Sequence, residues 1–127
     1  ALVSVDLTSM IGFPLRITNG TVASLLRMKQ LEKFADLPGL EIAEEQRRCG
    51  AKVNELIDRL VDGIVQNPRK SWVLEQFVPT LRAACEEDTE ARERFGRYFE
   101  QIMDVLGIES SDGMLTYYLA FGGDDVA

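Results

Sequence analysis

The run from about Ile42 to Gln66 restricts this chain more than any other feature, because Cys49, Val53, Leu56, Ile57, Leu60, Val61, Ile64 and Val65 recur there at i, i+3 and i+4. Spacing of that kind over four turns is the mark of one helix face buried in a core, whereas strand side chains alternate every second residue. A long amphipathic helix needs other elements to cover its stripe, so its neighbours decide the fold. Gly50 and Gly63 lie inside the pattern. Each weakens the helix by about 1 kcal/mol relative to Ala, and both mark places where another element comes close. Asn67-Pro68 stops the helix, since a residue before proline is pushed out of helical geometry.

The neighbouring segments also read as helices. Val22, Leu25, Leu26 and Phe34 fall on one helix, capped by Asn19 or Thr21 and ended by Asp36-Leu37-Pro38-Gly39. Ser71 to about Glu87 carries Trp72, Val73, Phe77, Val78, Leu81, Ala84 and Cys85, with Pro79 inside the pattern, where it is expected to kink or divide the helix. Asp88 or Thr89 caps the next helix, with Glu90 in its first turn, a stripe of Phe95, Phe99, Ile102, Met103 and Leu106, and Gly107 beyond its end. Ser110 or Ser111 then caps a short closing helix with Met114, Leu115, Tyr118 and Leu119, and Gly122-Gly123-Asp124-Asp125 reads as a tail. Residues 1–19 differ: Val3, Val5 and Leu7, then Phe13, Leu15 and Ile17, alternate with other residues, predicting two short extended segments, with Pro14 restricting the second to an edge. A loose arm is the competing reading. The 127 residues fit one domain, 1–127, with an extended segment at 1–19 and a helical bundle over 20–121. The expected fold class is mainly α, a four- to five-helix bundle with a short β-like or irregular N-terminal segment.

Chemistry is constrained chiefly by an absence: the chain has no histidine. The commonest general base and the commonest zinc ligand are missing together. Cys49 and Cys85 make no metal-ligand spacing and read as core residues; a disulfide between them and two separate thiols both fit the sequence. The carboxylates mostly alternate with arginine, as in Glu90 with Arg94 and Glu93 with Arg97, the ordinary construction of a solvated helix face. The segment Gly107 to Gly113 offers oxygens from Glu109, Ser110, Ser111 and Asp112 but is too short and too poor in carboxylates for an EF-hand. No phosphate-cradling glycine spacing occurs. The expectation is a protein that is not an enzyme and takes neither cofactor nor metal. A net charge of −7 opposes binding to nucleic acid and to anionic membrane surfaces, and no apolar run reaches the length of a membrane span.

Protein recognition remains. Two loops combine glycine, acidic residues and an apolar residue, and loops held by rigid helices are common sites of partner contact. They supply Asp36, Leu37 and Glu41 from one, and Glu109, Ser110, Ser111 and Asp112 from the other. Tyr117 and Phe121 near the carboxyl end complete the candidate partner-binding set, aromatics being favoured at interfaces. Self-complementary pairing into a homodimer is also compatible with such a bundle.

The string Arg97-Tyr-Phe-Glu-Gln-Ile-Met-Asp-Val-Leu-Gly-Ile-Glu-Ser-Ser-Asp-Gly-Met-Leu115 resembles a family of small bacterial proteins known as a domain of unknown function. Some proteins of this kind look like immunity proteins made beside a toxin of a type VI secretion system. The resemblance implies a cognate toxin as partner, a zinc-dependent peptidoglycan amidase in one association, and inhibition by occlusion of its cleft. It implies periplasmic residence, with the cytoplasm as the alternative. The chain begins at Ala1, which a removed secretory leader would explain, as would deliberate shortening. The competing function is a helical adaptor or structural protein with an unrelated protein partner.

Overall fold

The computed structural model describes residues 14–36 and 40–121, with the side chain of Phe121 outside the description. Five helices follow in order: α1 (Asn19–Gln30), α2 (Ala43–Gly63), α3 (Lys70–Cys85), α4 (Thr89–Leu106) and α5 (Met114–Phe121). Among the described residues there is no strand, and the fold is a mainly α bundle. The first predicted extended segment lies outside the described residues. The second reduces to one antiparallel bridge between Pro14 and Arg69, with Leu15 N–H donating to Pro68 O. Pro14 lacks an N–H and is exposed, which suits an edge. Leu15 and Ile17 pack against the core.

The core lies between α2, α3 and α4. Val53, Leu56, Ile57, Leu60 and Ile64 are sealed from solvent, as are Phe77, Leu81, Phe95, Phe99 and Ile102. Phe77 and Phe99 meet with ring centroids 5.0 Å apart. The predicted stripe of α2 holds except at Val65, which is 65% exposed. The helix ends at Gly63, and the turn that follows keeps Ile64 inward but rotates Val65 to solvent. On α1, Leu25 and Met28 face inward while Leu26 is 42% exposed.

Local chemistry explains the helix ends. Thr18, not Asn19 or Thr21, caps α1: its Oγ1 accepts from Thr21 N–H at 3.2 Å, and Thr21 Oγ1 accepts from Thr18 N–H at 3.1 Å. Thr21 is thus the reciprocal half of a capping box. Asp88 caps α4 through Ala91 N–H, and Gly107 closes it at φ 76. Pro79 does not divide α3, which runs unbroken past it with Pro79 on the exposed side. Ser111 caps α5, accepting Leu115 N–H through Oγ and Met114 N–H through its carbonyl.

Gly63 is a close approach, as its place in the pattern suggested. A Cβ there would overlap Trp72 Cζ2 and stand 2.7 Å from Cη2. Ala would gain about 1 kcal/mol of helix propensity, but it would push a ring that forms part of the packing. Overpacking of this kind costs about 1–3 kcal/mol. Gly63→Ala is therefore expected to lower the urea midpoint in the wild-type chain and to raise it in a Trp72→Ala background. The same sign in both backgrounds would show that the ring is not the obstacle.

Candidate binding surface

The ends of the bundle position the predicted loops. At one end the Pro14–Arg69 bridge joins the turn between α2 and α3, and Lys70 Nζ meets Asp112 Oδ2 at 2.9 Å, drawing in the loop after α4. At the other end Arg48 of α2 holds Glu87 through two hydrogen bonds of 2.9 and 3.2 Å, and it also pairs with Glu45. The loop between α1 and α2 belongs to this second end. Its Phe34 ring packs on Phe95 and Tyr98 at centroid distances of 4.9 and 5.2 Å, whereas Glu109 to Asp112 follow the last turn of α4. From Tyr98 to Gly107 the helix axis runs roughly 14 Å at about 1.5 Å per residue. The two candidate loops therefore do not merge into one patch.

Within these loops the candidate residues differ. Asp36 and Glu41 are exposed, and Leu37 lies outside the described residues. Glu109 and Ser110 are exposed, and Ser110 Oγ accepts Asp112 N–H at 3.0 Å. Ser111 is engaged as the cap of α5, and Asp112 is committed to Lys70 in a left-handed conformation at φ 57. Tyr117 is half-buried, with its ring edge-on to Tyr118 at 5.1 Å. Phe121 ends α5.

A concavity lies apart from these loops. A groove of about 540 Å³ runs between α4 and α5. Gly96, Leu115, Leu119 and Ala120 give it an apolar floor, and Arg92, Glu93, Arg97 and Glu100 give it a charged rim of both signs. Gly96 admits Leu119 closely: a Cβ there would stand 3.1 Å from Leu119 Cδ1. Arg92 ties the groove together, donating from Nη1 to Leu119 O at 3.3 Å and from Nη2 to Glu87 O at 3.0 Å. From sequence Glu93 and Arg97 read as a solvated helix face, and none of the four rim residues is in the candidate partner-binding set. Gly96 inside a helical pattern is the available signal, since glycine in a helix interior costs stability unless something packs close to it. A second cleft of about 430 Å³ lies between the end of α1 and the first turns of α2.

Cys49 and Cys85 are not bridged. Cys49 is fully buried and free, and Cys85 Sγ donates to Tyr118 O at 3.0 Å. Burial first, then the neighbouring Glu87 carboxylate, push the Cys49 thiol up to about 11. The neutral thiol is favoured in the fold, so this contribution to stability is complete below the ordinary value of 9.0 and is lost as pH rises through about 11. Iodoacetamide near pH ~8 should modify Cys49 in the native chain at least ~10-fold more slowly than in urea, read by peptide mass spectrometry. Equal rates would show that the thiol is accessible. Among the described residues no group of three or more His, Cys, Asp or Glu could hold a metal ion, and no helix is long and apolar enough to cross a membrane.

A family model described as a domain of unknown function (DUF4844) matches residues 16–120. No curated protein and no solved structure matches the chain.

Proposed function

The chain belongs to the family described as a domain of unknown function (DUF4844), and from that premise we propose that it works by binding another protein, as an immunity protein that covers the active site of a secreted bacterial toxin. The specific form we propose for that toxin is a type VI secretion peptidoglycan amidase, on the resemblance of the Arg97–Leu115 string. The observation that carries the reading is the groove between α4 and α5. Arg97, Glu100 and Leu115 of that same string lie in its wall. An apolar centre inside a rim of mixed charge is the anatomy of a small protein interface. Inhibition then needs no chemistry from this chain: a partner element seated in the groove leaves the toxin's cleft covered by the bundle.

Two compartments compete. A peptidoglycan target places the chain in the periplasm, and the cytoplasm is the alternative. Cell fractionation separates them.

The test mixes the purified chain with the toxin encoded beside its gene and measures peptidoglycan cleavage and gel-filtration elution. A complex and loss of cleavage at equimolar chain are expected. Reversing the rim with Arg97→Glu and Glu100→Arg together should weaken the complex about tenfold or more, chiefly through slower association. Unaltered cleavage with no complex rejects the immunity role.

A further inference from the structure

The cleft between α1 and α2 has a different character, and we propose that it is a second docking site, taking an acidic segment of a partner protein in which carboxylates flank an apolar side chain. Lys29, Lys33 and Arg47 line it against a single carboxylate, Glu32. This local excess of positive charge stands on a chain whose net charge is −7. Part of it is already engaged: Lys29 pairs with Asp58 at 2.6 Å, both half-exposed, and the Lys33 ammonium donates to the carbonyls of Met28, Lys29 and Leu31. Lys33 thus supplies field and no spare hydrogen, and exposed Arg47 is the side chain able to meet an incoming carboxylate.

Two further observations narrow the occupant. Leu31 stands at the mouth 66% exposed, and Ile42, beside the lining residue Ala43, is 67% exposed. Those two account for half of the four large exposed hydrophobics found among the described residues; Leu31 lines the cleft itself, whose wall has small residues at Gly50 and Ala51. An apolar side chain of the occupant would pack on Leu31 against this wall. Asn54 Oδ1, on the same wall, is buried with no hydrogen-bond partner. A buried amide oxygen without a counterpart is costly, and a peptide N–H would satisfy it once the side chain turns toward the cleft.

Charge also argues against a second copy of this chain as the occupant. Two-fold pairing through the cleft would set its cations against themselves, whereas an acidic partner meets lining cations of opposite sign, Arg47 above all.

The experiment uses the full chain and fluorescein-labelled peptides in anisotropy titrations: an acidic peptide built around Leu and Phe, its Lys-for-Glu counterpart, and polyglutamate. Saturable binding of the first alone is expected, weakened about tenfold or more by Arg47→Glu and by raising NaCl from about 50 to about 500 mM. Leu31→Ser, a change at an exposed position, should weaken it without altering the circular dichroism spectrum. The Arg97→Glu and Glu100→Arg change in the other groove should leave it intact, so this site stands or falls apart from the immunity reading. Absence of saturable binding, equal binding to Arg47→Glu, or self-association of the chain that Arg47→Glu abolishes would each overturn the proposal.

Discussion

Phe34→Ala is expected to destabilise the fold by about 3–5 kcal/mol, and Phe34→Gly by about 1 kcal/mol less. Phe34 is sealed from solvent, and its ring fills the junction between Phe95 and Tyr98. Either substitution empties that space, so both variants lose the packing. They differ in the backbone. Phe34 sits at φ 64, left-handed and unfavourable for a bulky side chain. It is held there by the buried ring and by its N–H, which donates to the Tyr98 hydroxyl at 3.0 Å. Ala retains the strain without the ring that offsets it, while Gly is released from it. At an ordinary position Gly is the worse replacement because the unfolded chain gains freedom. A reversed ranking in urea unfolding therefore reports the left-handed geometry itself. Equal or greater loss with Gly would show that this backbone conformation costs the fold nothing.

That residue also shows where the sequence stops being legible. The long stripes of α2 and α4 follow from spacing alone, because four turns of apolar repeats leave a single face to bury. Phe34 continues the spacing of α1, yet the helix ends at Gln30. The expected helix therefore stops short of Phe34, and its left-handed conformation is not legible in the sequence, since a tertiary contact with α4 outweighs local preference. Pro79 does not divide α3, which carries it on its exposed side. The candidate surface was less legible still. Acidic loops were visible as composition, but their placement at different ends of the bundle depends on pairings such as Lys70 with Asp112 and Arg48 with Glu87, far apart in the chain. The groove rim at Arg92, Glu93 and Arg97 reads in sequence as a solvated helix face. Only the docking of α5 across Gly96 turns it into a concavity.

Lys33→Met should cost about 2–3 kcal/mol, although the replacement is more apolar and of similar length. A lysine in a loop reads as a surface residue, but Lys33 is 6% exposed and its Nζ lies 2.6 Å from Met28 O, 2.8 Å from Leu31 O and 3.2 Å from Lys29 O. It caps the carboxyl end of α1, where the last carbonyls lack intrahelical donors and the helix dipole favours a cation. Met28 O keeps a second donor in Leu31 N–H at 3.2 Å, so Met would strip the Lys33 donor chiefly from Lys29 O and Leu31 O. Burial pulls the Lys33 pKa below its ordinary 10.5. Below the folded value, native and unfolded chains both carry the proton and the desolvation penalty is complete. Between that value and 10.5 the unfolded chain still binds a proton that the native chain releases, so the Lys33 contribution becomes more favourable as pH rises. The stability gap between wild type and Lys33→Met should consequently widen toward pH 10.5. Cys49 opposes this trend in both proteins and cancels in the difference. Chemical denaturation of the pair across that range checks the sign: a gap that narrows would mean the ammonium is favoured by its carbonyl cage over water, and an absent gap near neutral pH would mean that solvent satisfies α1 without Lys33.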